Sequence, residues 1–348
     1  MTAAPSEISI PVNRPRLPTA ERLLPYLREI DATRQYSNFG PLQTRLQRSL
    51  ADHHGVGAAN LALAASGTAA LLALIQAIVG GPSERRPLCL CPSYTFVGTA
   101  AAIRLARLQP FLLDVDPLSW ALNPASLETC PELERAALVL VVAPYGRPPD
   151  LDAWQTFTRR TGIPVIVDAA ACFDSIDAAA VVRGSIPVAV SLHATKTFST
   201  GEGGLILAAD PQLIDRAARA LNFGFRDDRS SSGPCFNGKL SEYHAAVGLA
   251  ELEGWATKRQ GFLLAARSYA RRAARSGWSH ALHVREDHAC PYALLMAADQ
   301  PQAKTIEAEL SRAHVGWRHW YGWGLHRQRP SPAAPPPRCP TPTISLAA

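Results

Sequence analysis

Seven short apolar runs, separated for the most part by helix-length segments, constrain the fold of this 348-residue chain more than any other feature. Continuous apolar strands that alternate with helices are typical of an α/β protein whose mainly parallel sheet is covered by helices on both faces. In such a sheet the ligand lies at the carboxyl ends of the strands, so functional side chains are expected directly after these runs. The predicted strands are residues 60–64, 87–91, 110–114, 137–143, 164–168, 187–191 and 204–208. The predicted helices are residues 19–30, 41–54, 67–79, 96–107, 151–161 and 210–221.

The chain is long enough for one large and one small domain. We expect an N-terminal segment over residues 1–30 and a large α/β domain over residues 31–240. A long helical segment from about 240 to 275 is predicted to lead into a smaller α+β domain, and the two together span residues 241–328. Residues 329–348 hold seven prolines without periodicity, which predicts a disordered tail.

Composition argues against several classes of protein. Apolar residues make up 47% of the chain and charged residues 18%, which is typical of a folded protein rather than a disordered one. The net charge is +6, but the basic residues are scattered, so no nucleic-acid or membrane patch is predicted. The chain shows neither a signal sequence nor an apolar run as long as a membrane span, and its seven cysteines form no CxxC pair. We therefore expect a cytoplasmic protein with reduced thiols.

Lysine is rare in this chain, and its rarity draws attention to one position. Lysine occurs only at 196, 239, 258 and 304, whereas the other basic residues are arginine. Because a guanidinium stays protonated at any working pH, a retained lysine is a candidate for losing its proton and attacking a carbonyl. Lys196 lies just beyond the predicted strand 187–191 and before a glycine turn at 201–204. A lone lysine is usually a surface charge, but this location favours a functional role.

Two other positions carry weaker signals. Ser66, Gly67 and Thr68 lie at a strand-to-helix junction, where unpaired N–H groups can hold a phosphate. Taken alone, these residues are more often a simple helix cap, and that interpretation is favoured. Asp168 closes a predicted strand and could pair with a protonated ring nitrogen, bind a metal or cap the next turn.

The sequence contains no Walker loop and no GxGxxG after a strand, so it gives no support for an NTPase or a dinucleotide oxidoreductase. The histidines show no metal-ligand spacing, and no metal site is predicted.

A series of short motifs runs along the chain in a fixed order: Asn38-Phe-Gly-Pro41, Ser66-Gly-Thr68, Pro92-Ser-Tyr-Thr-Phe96, Asp114-Val-Asp-Pro117, Tyr145-Gly146 with Asp150, Val167-Asp-Ala-Ala170, residues 191–196 with 201–204, and Asn237-Gly-Lys-Leu-Ser-Glu242. In this order and spacing, the motifs resemble those of the DegT-type sugar aminotransferases over about residues 10–326. The resemblance implies the fold type I of transferases that depend on pyridoxal phosphate (PLP).

The resemblance implies a role for each candidate residue. Lys196 would form the Schiff base with the cofactor and carry the proton, and Asp168 would pair with the pyridinium nitrogen. Phe96 would stack on the ring, and the phosphate would be held by Ser66, Gly67, Thr68 and Ser191. Asn237 would reach the phosphate in the neighbouring subunit, which implies a homodimer with shared active sites. His193 and His326 are possible substrate contacts.

The chain departs from the family pattern at two places. Many members have Gln or His three positions after the aspartate, near the cofactor's phenolic oxygen, where this chain has Ala171, so that contact is missing or supplied by another group. The Pro-rich tail stands where relatives continue with a strand and a helix, so either the small domain is incomplete or the reading frame is altered.

The implied function is transfer of an amino group from an amino acid, with glutamate as the expected donor, to a nucleotide-linked keto-deoxysugar for amino-sugar or surface-polysaccharide biosynthesis. Two alternatives remain open. One is a sugar dehydratase with the same cofactor, in which His commonly replaces the lysine. The other is a catalytically inactive regulatory homologue. Lys196 favours transamination over dehydration.

Overall fold

The structure, a computed structural model, describes residues 9–81, 83–225, 229–322 and 324–327, and within them seven strands form one sheet. Every predicted strand is present, and each end lies within one residue of its predicted position. The strands are β1 (Leu61–Ala64), β2 (Leu88–Pro92), β3 (Gln109–Leu113), β4 (Ala136–Val142), β5 (Val165–Asp168), β6 (Val188–Ser191) and β7 (Gly204–Leu207). Their order across the sheet is β1-β7-β6-β5-β4-β2-β3.

The strand directions bring several chain ends to one edge of the sheet. Strands β2 to β6 run parallel to one another, whereas β7 is antiparallel to both β6 and β1. Because β7 reverses the direction on both of its sides, β1 points the same way as β6. The register pairs Gly204 with Ala64 on one side and with Ser191 on the other. The mainly parallel α/β sheet is therefore confirmed, and the carboxyl ends of β1, β5 and β6 share an edge.

Helices cover the sheet, and most of them match the predicted segments. One prediction is wrong in detail, because the segment from 240 to 275 is two helices that meet at Gly254, where the backbone turns (φ −94°, ψ −2°). Three helices that the sequence analysis did not predict are present at residues 124–127, 178–183 and 300–312. The helices of the described residues are α1 (Ala20–Thr33), α2 (Pro41–His53), α3 (Gly67–Val79), α4 (Val97–Leu105), α5 (Pro124–Leu127), α6 (Leu151–Thr161), α7 (Ala178–Arg183), α8 (Pro211–Ala220), α9 (Glu242–Glu253), α10 (Trp255–Arg275) and α11 (Gln300–Arg312).

Apolar side chains on the two faces of the sheet form two core layers. In β6, Val188 and Val190 pack into one layer, together with Trp154 of α6 and Trp255 of α10. Ala189, between the two valines, packs into the other layer with residues of α3 and α8. This alternation along a strand that is buried on both sides explains why the strands read as continuous apolar runs.

The C-terminal part of the described chain adds a short antiparallel pair, β8 (Leu282–His283) and β9 (Leu294–Leu295), and then α11. The predicted tail, 329–348, lies outside the described residues. No helix of the described residues has the length and apolar character that crossing a membrane requires.

Candidate active site

Two ionisable residues, the buried Asp168 and the partly buried Lys196, lie at the carboxyl ends of neighbouring parallel strands. Asp168 is the last residue of β5, and Lys196 follows the end of β6 by five residues. The Lys196 backbone N–H donates to the carbonyl of His193 (2.8 Å), and Ala194 N–H donates to the carbonyl of Gly201 (2.8 Å). These two bonds fold the chain back after β6, so that Lys196 and Asp168 come within electrostatic range of each other.

Burial changes the proton affinity of both groups. Asp168 is only 6% exposed, and burial raises the pKa of its carboxyl, while a hydrogen bond from Thr99 and the charge of Lys196 oppose the rise. Burial lowers the pKa of Lys196, against the opposing effect of Asp168. A larger fraction of the Lys196 amine is therefore neutral, and thus nucleophilic, at a given pH than for an exposed lysine.

A chain of buried hydroxyls holds the Asp168 carboxylate. Thr99 Oγ1 donates to Asp168 Oδ2 (2.8 Å), and the Thr95 and Thr99 hydroxyls hydrogen-bond to each other (2.8 Å). The N–H of Ala170 donates to Oδ1 (3.2 Å). No role was predicted for either threonine from the sequence, although Thr95 lies within the motif 92–96; their only further signal is the four-residue spacing of hydroxyls beside an otherwise apolar helix start, which by itself is weak.

The N-terminus of α3 lies against the end of β6. Ser66 caps the helix by accepting a hydrogen bond from Ala69 N–H (3.1 Å), and Gly67 and Thr68 are its first two residues. A Cβ at position 67 would lie 2.8 Å from the Ser191 Cβ, so only glycine allows this approach. The first turn of a helix carries N–H groups without intrahelical partners and a partial positive charge. Gly67, Thr68 and Ser191 can therefore hold a phosphate, while Ser66 is also the helix cap that the sequence favoured.

Phe96 presents an exposed aromatic ring beside this anion site. It is 58% exposed and immediately precedes α4. The Phe96 ring and the Thr68 hydroxyl both border Gly98. A Cβ atom built on Gly98 would lie 3.2 Å from each of them. The Trp320 ring lies nearly parallel to Phe96, at 12° and 6.5 Å between ring centres. Phe96 is thus available for stacking a planar ring whose anionic group lies at α3.

Three further candidates from the sequence are His193 and Asn237, described first, and His326. The His193 ring contacts Thr195, whose backbone N–H donates to Nδ1 (3.2 Å), and its Nε2 lies 3.5 Å from a Glu202 carboxylate oxygen. The exposed Asn237 accepts a hydrogen bond from Lys239 Nζ (2.9 Å). The carbonyl of the next residue, Gly238, accepts from Ala65 N–H (2.7 Å), so the segment lies against the end of β1.

His326 lies in a short 3-10 turn, Leu325–Arg327. The N–H of Leu325 donates to the carbonyl of Ser93 (2.8 Å), which places the turn beside the loop that carries Phe96. The roles of His193, His326 and Asn237 toward a substrate or a second subunit stay predictions.

An aromatic cluster that the sequence analysis did not identify borders Lys196. The Tyr94 and Tyr145 hydroxyls share a hydrogen bond, and both hydroxyl oxygens lie 2.9 Å from the Trp320 carbonyl oxygen, which accepts from one of them. The Tyr292 hydroxyl lies 3.4 Å from Lys196 Nζ. These rings come from distant parts of the sequence, and no spacing pattern connects them.

The set of residues fits pyridoxal phosphate. The anion site at α3 suits its phosphate, the exposed face of Phe96 suits its ring, and the buried Asp168 carboxylate suits a protonated ring nitrogen. Lys196 carries an amine of the kind that can react with an aldehyde. In the part of the chain that the structure describes, no three His, Cys, Asp or Glu side chains lie together as a metal site would require.

The sheet order and this site together define the fold type I of PLP-dependent transferases. DesI, solved in the presence of its TDP-sugar product, has the same fold, with a TM-score of 0.78 at 24% identity over 98% of this chain and 86% of that one. The chain belongs to the DegT/DnrJ/EryC1/StrS aminotransferase family, whose sequence model matches residues 19–340.

Curated relatives match most of the chain. The dTDP-4-amino-4,6-dideoxy-D-glucose transaminase of Shigella dysenteriae is 34% identical over 245 residues, 70% of this chain and 64% of that protein. Protein Mb3436c of Mycobacterium bovis is 36% identical over 253 residues, again 70% of this chain and 60% of that protein. The match therefore spans less than two thirds of the length of either relative.

Proposed function

We propose that this chain is a PLP-dependent aminotransferase that moves an amino group from an amino acid, glutamate, to a nucleotide-linked keto-deoxysugar, as a step in amino-sugar or surface-polysaccharide biosynthesis. The observation that carries the proposal is the pair formed by the buried Asp168 and the partly buried Lys196 at the carboxyl ends of adjacent parallel strands. Membership of the aminotransferase family and the sugar substrate in the name of the Shigella dysenteriae relative support the substrate class.

Different residues of the site would bind the phosphate and the ring of the cofactor. Gly67, Thr68 and Ser191 hold the phosphate, and Phe96 orients the ring. When bound, the cofactor supplies an electron sink for the negative charge that develops at the amino-bearing carbon. The Asp168 carboxylate, oriented by Thr99, keeps a proton on the ring nitrogen.

Lys196 carries two roles in this proposal. Its neutral amine would be the nucleophile toward the aldehyde, and its Nζ would then carry the proton between the substrate carbon and the cofactor. Both roles need an amine that is neutral for part of the time, and burial favours that form. An arginine in the same place could perform neither role.

We further propose a cytoplasmic homodimer with shared active sites. The support for the dimer is the exposed Asn237 on a segment that lies against the end of β1, beside the N-terminus of α3. An exposed amide there can reach a second subunit, and a homodimer of this kind would be two-fold symmetric.

The test begins with the cofactor. The purified chain, supplied with pyridoxal phosphate, is expected to turn yellow, and borohydride should fix the cofactor on the peptide that contains Lys196. The Lys196→Ala variant should bind no cofactor covalently, whereas Lys304→Arg, a change of an exposed lysine in α11, should behave as wild type. Labelling of a different lysine, or of none, contradicts the proposal.

The second step of the test concerns the reaction. The loaded chain is given ¹⁵N-glutamate and a panel of nucleotide keto-sugars, and we expect ¹⁵N in a sugar product. Loss of water from the sugar without ¹⁵N transfer would instead indicate the dehydratase. A chain that binds the cofactor but converts no member of the panel would support the inactive homologue.

A further inference from the structure

The loop between β8 and β9 carries Tyr292 to Lys196, and the rest of the molecule holds that loop in place. Arg259 of α10 binds both carboxylate oxygens of Asp174 through Nε (2.7 and 2.8 Å), and the same carboxylate accepts a hydrogen bond from Ala289 N–H (2.7 Å). Next along the chain, Cys290 Sγ donates to the Tyr145 carbonyl (3.4 Å). These contacts fix the loop at two successive residues, only two positions before Tyr292.

The Tyr292 ring is itself packed. It meets Tyr145 edge-on, at 80° and 5.6 Å between ring centres, and it also contacts Trp320 at 5.6 Å. A ring held on two sides, on an anchored loop, has little freedom to move its hydroxyl. Lys196 Nζ donates a hydrogen bond to that hydroxyl (3.4 Å), so the flexible lysine reaches toward a rigid acceptor.

The other groups that face Lys196 are not equivalent to this hydroxyl. Asp168, Cys172 and Cys290 act on its charge, and burial raises the pKa of both thiols, so that they stay protonated and neutral. Burial also raises the pKa of Tyr292, which keeps its hydroxyl neutral as well. The backbone carbonyl of Ala171 also lies beside Gly146, near Cys290, but the side chain of Ala171 is only a methyl group and carries no charge.

We propose that Tyr292 is a positioning residue for Lys196: its hydroxyl holds the Lys196 ammonium in the cofactor-free chain and so sets the pH at which the amine becomes reactive. The inference deepens the proposed function, because the regulated amine is the one that would bind the cofactor. An acceptor bonded to the ammonium favours the charged form, whereas burial favours the neutral form. Without the Tyr292 hydroxyl, the charged form of Lys196 loses this stabilising hydrogen bond, while burial still favours the neutral form. The amine should therefore lose its proton at a lower pH.

The experiment measures the reactivity of Lys196 in the full cofactor-free chain. Trace acetic anhydride is added at a series of pH values, and the acetylation rate of each lysine is read from its peptide by mass spectrometry. In Tyr292→Phe the midpoint of the Lys196 profile is expected to fall by about one pH unit, in line with a hydrogen bond to a charged group. The exposed Lys304 is the internal reference in every sample.

Tyr94→Phe is the matched control, because it also removes one hydroxyl from the aromatic cluster but breaks only bonds to Tyr145 and Trp320. It should leave the Lys196 midpoint unchanged. An unchanged midpoint in Tyr292→Phe, or an equal shift in Tyr94→Phe, would overturn the inference. If Tyr292→Phe does not fold, as judged by circular dichroism, Tyr292→Trp replaces it, since it keeps an aromatic ring and also lacks the acceptor.

A second readout separates this inference from the proposed function. The rate at which each variant takes up pyridoxal phosphate is followed by absorbance across the same pH series, and its midpoint should move in the same direction. If no variant takes up the cofactor, the proposed function fails, while the acetylation profiles still decide the role of Tyr292.

Discussion

At the scale of single residues, burial brings the proton affinities of Asp168 and Lys196 closer together. It raises the pKa of the acid and lowers that of the base, so each charged form is less favourable in the folded chain than in the unfolded one. Their mutual attraction and the Thr99 hydrogen bond offset part of this cost. Groups with perturbed pKa values cluster at functional sites, and these two lie where the fold directs a ligand.

The pKa shift of Asp168 predicts how stability depends on pH. Because the folded-state pKa is raised, the folded chain binds the proton more tightly than the unfolded chain, and the free energy of unfolding falls as pH rises from the ordinary carboxyl range through the raised value. Asp168→Asn removes this loss. Urea unfolding between about pH 4 and pH 8 should therefore show that the cofactor-free variant gains stability relative to wild type as pH rises.

The same variant should retain cofactor binding but lose about a hundredfold in amino transfer, because a neutral amide no longer favours the protonated ring. A variant with wild-type single-turnover rates would show that Asp168 only caps the turn after β5.

Thr99 provides a second test at this scale. Thr99→Val keeps the shape of the side chain but leaves the Asp168 carboxylate and the Thr95 hydroxyl without their shared partner. We expect a loss of ~1–3 kcal/mol in the free energy of unfolding, measured with urea at neutral pH. Thr99→Ser, which retains the hydroxyl, should lose much less. Equal losses in the two variants would mean that the methyl packing, not the hydrogen bond, matters at this position.

At the scale of elements, one contact explains two of the sequence motifs. The fully buried Glu242, the first residue of α9, accepts hydrogen bonds from the N–H groups of Leu42 and Gln43 (2.8 Å each) in the first turn of α2. A Cβ on Gly40 would lie 2.6 Å from the Glu242 carboxyl carbon, so the residue before the helix must be small. The segments 38–41 and 237–242, some 200 residues apart, therefore meet as a helix cap supplied from another helix.

This cap predicts the effect of Glu242→Gln. The amide can accept only one of the two hydrogen bonds through its oxygen, and its NH₂ group would face the other N–H. We expect a loss of ~1–3 kcal/mol in the free energy of unfolding, read from urea denaturation. Glu309→Gln, which changes an exposed residue of α11 paired with Arg312, serves as the control and should change stability by less than about 1 kcal/mol. Similar losses in the two variants would argue against the cap.

At the scale of the whole molecule, the proposed dimer predicts complementation between two inactive variants. Lys196→Ala lacks the amine, and Asn237→Ala lacks the amide that would reach the other subunit. Random re-pairing makes half of the dimers mixed, and each mixed dimer has one site with both residues intact. The mixture should therefore recover about a quarter of the wild-type activity, measured after joint unfolding and refolding.

The oligomeric state is measured in parallel. Sedimentation of the cofactor-loaded wild type should show a dimer, and dilution should lower the activity as subunits part. A fully active monomer, or a mixture that stays inactive although mixed dimers are detected, would remove Asn237 from the site.

The sequence by itself determined the strands, most of the helices and which strand ends carry the candidate functional side chains. The strands read clearly because burial on both faces requires continuous apolar runs, and Lys196 stood out because lysine is rare and follows such a run. Asp168, Ser66 and Gly67 could be placed for a similar reason, since a parallel sheet brings its strand ends to one edge.

Only the tertiary structure decided the partners of these residues. Thr99 meets Asp168 across 69 residues, Tyr292 meets Lys196 across 96, and Glu242 meets Leu42 across 200. Contacts of this kind depend on how whole elements pack, so they leave no periodicity in the chain. The break at Gly254 is a similar case, because the apolar pattern continues through it. Local pattern therefore placed the reactive groups, and packing determined their proton affinities and orientation.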